Sequence, residues 1–125
     1  MIVLDANVLI AHLDQDDALH DVVRKRLLAV AEQPFGASSI TLAEVLVGPT
    51  RTGRLRTARA ALRALQVAEV PLAANVAEQL AALRSEAGLK LPDCCVLLAA
   101  HTSNGAVLTF DERLARAAAE RGLAA

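Results

Sequence analysis

The chain has no tryptophan, no tyrosine and only two phenylalanines among its 125 residues. Stacking platforms for single-stranded bases therefore cannot be its main binding device, and aliphatic side chains must fill the core. Cysteine is as scarce: Cys94 and Cys95 are the only two, and they are adjacent. Sequence neighbours rarely close a relaxed disulfide, and no Cys or His stands at metal-ligand spacing from another. Both cysteines therefore read as buried core thiols. No excess of either charge exists, with 13 Lys and Arg against 14 Asp and Glu. This excludes a chain that coats nucleic acid by bulk positive charge. Six glycines and four prolines exclude collagen-like and low-complexity classes. No apolar run reaches the ~18–20 residues of a membrane span. Asp5 interrupts the apolar start, and neither a basic n-region nor a small-residue cleavage site accompanies it, so no signal peptide is read. A cytoplasmic protein with no membrane partner is expected.

What is present is a hydrophobic fraction of 54% and a charged fraction of 22%, which describe a folded chain rather than a disordered one. The length suits one domain over residues 1–125. Ile2 to Leu4, Phe35 to Ala37, Val67 to Val70 and Ala106 to Thr109 read as short strands. Between them lie helical patterns at Asn7–Leu13, Ala18–Ala31, Thr41–Val47, Leu55–Leu65, Ala74–Ala87 and Asp93–His101, with a last one at Asp111–Arg121. Gly48-Pro49 is expected to stop the third helix, Gly88 the fifth and Gly122 the last. This alternation argues for an α/β fold with a parallel sheet covered by helices on both faces.

In such a sheet, sites form beyond the carboxyl ends of the strands. Asp5 follows the first strand, and Glu44 lies one turn into the helix after the second. Asp93 opens the helix that feeds the fourth strand, and Asp111 follows that strand. If these elements are neighbours, four carboxylates share one edge. Each close pair of charges costs of order 1 kcal/mol or more, and a divalent cation removes the conflict. All-oxygen ligation favours Mg²⁺ or Mn²⁺ over Zn²⁺, and such a site suits phosphodiester hydrolysis. Local readings stand beside this one. Glu44 fits a capping box with Thr41, Asp93 a favourable helix-start charge, and Asp111 an N-cap. Asp5 is harder to explain locally, because it ends a wholly apolar strand where a buried charge is costly.

The chain resembles PIN-domain ribonucleases, and within them the VapC toxins of toxin–antitoxin pairs. The resemblance rests on four segments: Met1-Ile2-Val3-Leu4-Asp5-Ala6-Asn7, Ser38-Ser39-Ile40-Thr41-Leu42-Ala43-Glu44, Gly88-Leu89-Lys90-Leu91-Pro92-Asp93 and Leu108-Thr109-Phe110-Asp111. It implies a parallel sheet of four to five strands, with the last edge strand absent or very short here. It implies Asp5, Glu44, Asp93 and Asp111 as catalytic, metal-binding acids around Mg²⁺ or Mn²⁺, with Asn7, Ser39 and Thr109 in support. The implied activity is endonucleolytic cleavage of transfer or ribosomal RNA. The implied partners are a VapB-type antitoxin and a second copy of the chain.

Arg51, Arg54, Arg56, Arg59 and Arg63 form a basic stretch with no acid between them. It reads either as an RNA phosphate clamp or as a solvated helix face. Two other classes remain in view. A non-catalytic RNA- or protein-binding module would use the acids only as caps. A phosphatase or receiver domain is disfavoured, because Asn7 stands where a second Asp would be needed. No Gly-rich phosphate loop is present.

Overall fold

The computed structural model describes residues 1–125. Its elements run β1 (Ile2–Leu4), α1 (Ala6–Leu13), α2 (His20–Ala29), β2 (Phe35–Ser38), α3 (Ser39–Arg51) and α4 (Leu55–Ala64). Then follow β3 (Val67–Val70), α5 (Ala77–Ala87), α6 (Leu91–Thr102), β4 (Ala106–Leu108) and α7 (Glu112–Glu120). The four strands are parallel, in the order β3-β2-β1-β4. Val3 stands opposite Gly36 on one side and Val107 on the other. β1 is therefore central, which is why all three of its residues are apolar and buried.

Alternation along β1 divides the core. Ile2 and Leu4 face a cluster built with Val8 and Leu9 of α1, Val23 and Leu27 of α2, and Val45 of α3. Val3 faces the opposite cluster with Val107, Val96 and Leu97 of α6, and Leu114 of α7. Both faces are thus covered, as the sequence predicts. Cys94 and Cys95 are free thiols inside this core, and α6 is buried without interruption from Cys94 to Ala100. No helix is long and apolar enough to cross a membrane.

Most boundaries shift by one or two residues from the sequence reading, and three shifts have a clear local cause. α3 does not stop at Gly48-Pro49 but runs on to Arg51. Pro49 removes only one helical donor, and the following turn closes through Thr52 N–H to Gly48 O at 3.1 Å and Arg54 N–H to Pro49 O at 2.7 Å. α2 starts at His20 rather than Ala18, because the Asp17 carboxylate takes the Leu19 N–H at 2.8 Å in a local turn. α5 starts at Ala77 rather than Ala74, after Asn75 adopts a left-handed φ of 65°. The fifth strand is reduced to a single parallel bridge between Ala124 and Val107. Leu123 O accepts from Val107 N–H at 2.7 Å there, and Ala125 N–H donates to Val107 O at 3.1 Å.

Candidate acidic site

Because all strands point the same way, the residues that follow β1, β2 and β4 emerge at one edge of the sheet. Asp5 is the N-cap of α1 in an extended backbone conformation and is only 7% exposed. One carboxylate oxygen accepts from Ala6 N–H at 2.8 Å. The other accepts from the Thr109 hydroxyl at 2.7 Å. The same hydroxyl oxygen accepts from Asp111 N–H at 3.0 Å and from the Asn7 side-chain amide at 3.4 Å. Asn7 Oδ1 in turn accepts from Phe110 N–H at 3.4 Å. Asn7, Thr109, Asp5 and the backbone of Asp111 are therefore one hydrogen-bonded unit joining the ends of β1 and β4.

Asp111 caps α7, accepting from Arg113 N–H at 2.9 Å and Leu114 N–H at 3.1 Å through a single oxygen, Oδ1. Its capping role is real, yet the second oxygen is left free. Glu44 has no such duty. The cap of α3 is Ser38, whose Oγ accepts from Thr41 N–H at 3.0 Å, so the Thr41–Glu44 capping box does not form. Asp93 lies in the first turn of α6 with no side-chain cap hydrogen bond on that helix.

Electrostatics bind these acids together. The Asp5 carboxyl is pushed above the ordinary range by burial and by Asp111, against the lowering hydrogen bonds from Thr109 and Ala6. Glu44 is pushed up by burial, then by Asp5 and Asp93. Asp93 is pushed up by burial, then by Asp5 and Asp111, while Lys90 and Arg113 pull it down. Asp5, Glu44 and Asp93 are thus each raised by at least one neighbouring acid, as expected where carboxylates crowd at one edge.

No three His, Cys, Asp or Glu side chains stand together in a group that could hold a metal ion. The available donors are carboxylate oxygens, two of them already tied to caps. Such an open set suits Mg²⁺ or Mn²⁺, which are held by one or two carboxylates and keep several waters. It does not suit Zn²⁺, which selects Cys and His.

The remaining residues singled out in the sequence are distributed unevenly. Ser39 stands at the same edge, but its hydroxyl donates to Glu69 of β3 at 2.6 Å rather than to one of the four acids. Arg51, Arg54, Arg56 and Arg59 are exposed on the end of α3, its following turn and α4. None of them is among the charges acting on the acids. Arg54 instead lines an apolar groove of about 370 Å³ with Ile10, Leu13, Asp14 and Pro49. The cations that do reach the acids are Lys90 and Arg113, which sequence reasoning passed over. Their signal was position: Lys90 is one helical turn before Asp93, and Arg113 is two residues after Asp111.

The fold has close relatives among solved structures. VapC20 of Mycobacterium tuberculosis, described as a Sarcin-Ricin loop cleaving toxin, superposes with a TM-score of 0.73 at 22% identity, covering 94% of this chain and 95% of that one. A toxin–antitoxin complex from Klebsiella pneumoniae matches with a TM-score of 0.73 at 28% identity, covering 89% and 87%. VapBC2 of Rickettsia felis, solved with a DNA fragment from its promoter, matches with a TM-score of 0.71 at 19% identity, covering 93% and 92%. No curated protein matches the sequence significantly. The sequence matches the PIN domain over residues 2–120, nearly its whole length, and with the strand order and acidic edge above, the chain belongs to the PIN domain family.

Proposed function

We propose that this chain is a divalent-metal-dependent endoribonuclease, the toxin of a VapBC-type toxin–antitoxin pair, cleaving transfer or ribosomal RNA. The reading is supported by the nearness of Asp5, Glu44, Asp93 and Asp111 at one sheet edge, where Asp5, Glu44 and Asp93 are each pushed up by at least one of the others. Four helix caps placed for folding alone would have no reason to converge, and Glu44 caps nothing. When bound, Mg²⁺ or Mn²⁺ would make hydroxide available near neutral pH and offset charge on the phosphorus.

The chain's own residues divide the remaining work. Glu44 and Asp93 have no cap to hold and present their carboxylates to the cation. Asp5 is oriented by Thr109, which fixes one of its oxygens, while Asn7 and the Asp111 backbone fix Thr109. Asp111 keeps one oxygen for the site and uses the other to anchor α7. Arg51, Arg54, Arg56 and Arg59 offer phosphate contacts away from the cleft. Two of the structural relatives are toxin–antitoxin assemblies. An antitoxin here would cover the acidic cleft, with a basic side chain meeting its charge, and a homodimer is expected. The lack of any three-residue group able to hold a metal ion favours a second reading, a binding module of the same fold, which metal dependence separates from the first.

The test incubates the purified chain with transfer and ribosomal RNA in Mg²⁺ or Mn²⁺ against EDTA, with Asp5→Asn and Asp93→Asn alongside. Discrete cleavage that needs both metal and each acid is expected. Wild-type cleavage rates in either variant would place the chemistry elsewhere. An inactive wild type that also binds no metal by calorimetry would leave the binding module.

A further inference from the structure

An acidic cleft repels a polyanion, so an RNA strand can settle on it only if cations stand at its rim. The long arginine stretch does not supply them. Two other features do.

The first is the loop from Gly88 to Lys90, between α5 and α6. Gly88 ends α5 in the left-handed region with φ 66°, and Lys90 enters α6 in an extended conformation. Both carbonyls before Lys90 are held by arginines: Arg84 donates to Leu89 O at 2.9 Å, and Arg113 donates to Gly88 O at 3.1 Å. The loop is therefore tied to α5 behind it and to α7 beside it, and Lys90 stands at a fixed place on the rim.

The second feature is Arg113 itself. Its backbone N–H caps onto Asp111, so its side chain is referenced to the fourth acid as well as to the loop before the third. One guanidinium nitrogen is used on Gly88, which leaves donors free on the other edge of the fork. Lys90 and Arg113 are both exposed. Neither has an acidic partner at ion-pair distance, since the chain's single ion pair is Arg121 with Glu86. Lys90 is the N-cap residue of the helix whose first turn carries Asp93, and Arg113 lies in the first turn of the helix that Asp111 caps.

From this arrangement we infer that Lys90 and Arg113 form a phosphate clamp on the α6–α7 side of the acidic cleft, taking a backbone phosphate of the RNA next to the one cleaved. The inference rests on the nuclease reading above. Arg113 has two tasks, holding the loop and contacting phosphate, whereas Lys90 has only the second.

The test uses the full chain and a labelled single-stranded RNA oligonucleotide. Affinity is read by anisotropy in EDTA, where no cleavage occurs, across a salt series. The variants are Lys90→Gln, Lys90→Arg, Arg113→Gln and the double Gln variant, with Lys25→Gln on α2 as a control for loss of one exposed charge. Each single Gln variant should reduce the salt slope by about 0.7, the double by about twice that, and Lys90→Arg by nothing. In cleavage assays with metal, KM should rise of order tenfold for each, with kcat little changed. An unchanged slope for Lys90→Gln, or a loss no larger than that of Lys25→Gln, overturns the clamp. So does an effect confined to kcat. Lys90 donates to nothing in the fold, so its variants remain informative if Arg113→Gln loosens the loop. RNA binding with the expected slopes but no cleavage by the wild type would defeat the nuclease reading and leave the clamp standing. Cleavage with unaltered slopes would do the reverse, and a wild type that neither binds nor cleaves overturns both.

Discussion

Thr109→Val removes one hydroxyl at nearly constant shape, and its cost should depend on pH. In the wild type that hydroxyl donates to Asp5 Oδ2 at 2.7 Å. It also accepts from Asp111 N–H at 3.0 Å, a group exposed enough to turn to water. The main loss is therefore a hydrogen bond to a buried carboxylate, worth about 1.5–3 kcal/mol when the carboxylate is ionised and about 0.5–1.5 kcal/mol when both groups are neutral. The sign follows from linkage. Asp5 already sits above its ordinary value in the fold, and the Thr109 hydrogen bond holds it down. Without that bond the native carboxyl binds its proton more tightly still. The variant should lose stability relative to the wild type as pH rises through the native Asp5 titration. At roughly 3–5 °C per kcal/mol for a chain of this length, the loss in Tm should be about 5–15 °C where Asp5 is ionised and about 2–8 °C where it is protonated, near pH 4. Far-UV circular dichroism melts in EDTA give the comparison, since the chain has no Trp or Tyr to report by fluorescence. Thr109→Ser, which keeps the hydroxyl, should recover most of the pH-dependent part. A Tm loss equal at both pH values, or larger in acid, would refute the view that the hydroxyl serves the ionised carboxylate.

Glu44→Gln should leave Tm equal or slightly higher while abolishing RNA cleavage, because it removes a charge repelled by Asp5 and Asp93 and has no cap to lose. A large drop in Tm would assign Glu44 a structural role. Asp5, Glu44 and Asp93 are all raised by burial and then by neighbouring acids, so native stability is lost as pH rises through their titrations without metal. Added Mg²⁺ should therefore raise Tm more near pH 7 than near pH 4.5, and an equal or reversed effect would contradict cation binding by these acids. Leu97→Ala, at a position 1% exposed on α6, should cost about 2–5 kcal/mol by denaturant melts. Gly105→Ala should also destabilise the chain, since the added methyl would meet Met1 O at 2.5 Å and force the β1–β4 contact apart. A neutral result would show that this junction is slack.

The fold was largely legible because the sequence alternates short apolar strands with amphipathic helices, and the wholly apolar Ile2–Leu4 could belong only to a central strand. The acids were legible because each stands at a strand end or helix start. What sequence patterns could not reveal were cooperative choices. Gly48-Pro49 looked like a stop, yet a single missing donor in the last turns is cheap when later carbonyls find partners. Thr41 and Glu44 had capping-box spacing, but Ser38 reached the helix start first. Ser39 stood next to the site in sequence, while Glu69 on the neighbouring strand claimed its hydroxyl. The arginines of α3 and α4 drew attention by number, whereas the cations acting on Asp93 are two single residues, Lys90 just before it in sequence and Arg113 brought near by the packing of α7.

Arg121 and Glu86 make the chain's only ion pair, at 3.6 Å, with the glutamate largely solvated. Pairs of that kind contribute about 0–1 kcal/mol and are screened by salt, so rising ionic strength has almost no attraction to weaken inside this fold, while it relieves the repulsion among the acids. Cohesion here comes from aliphatic packing and backbone hydrogen bonds, and these ignore moderate salt. Rising salt should therefore loosen the proposed contacts between the rim cations and RNA phosphates without loosening the fold.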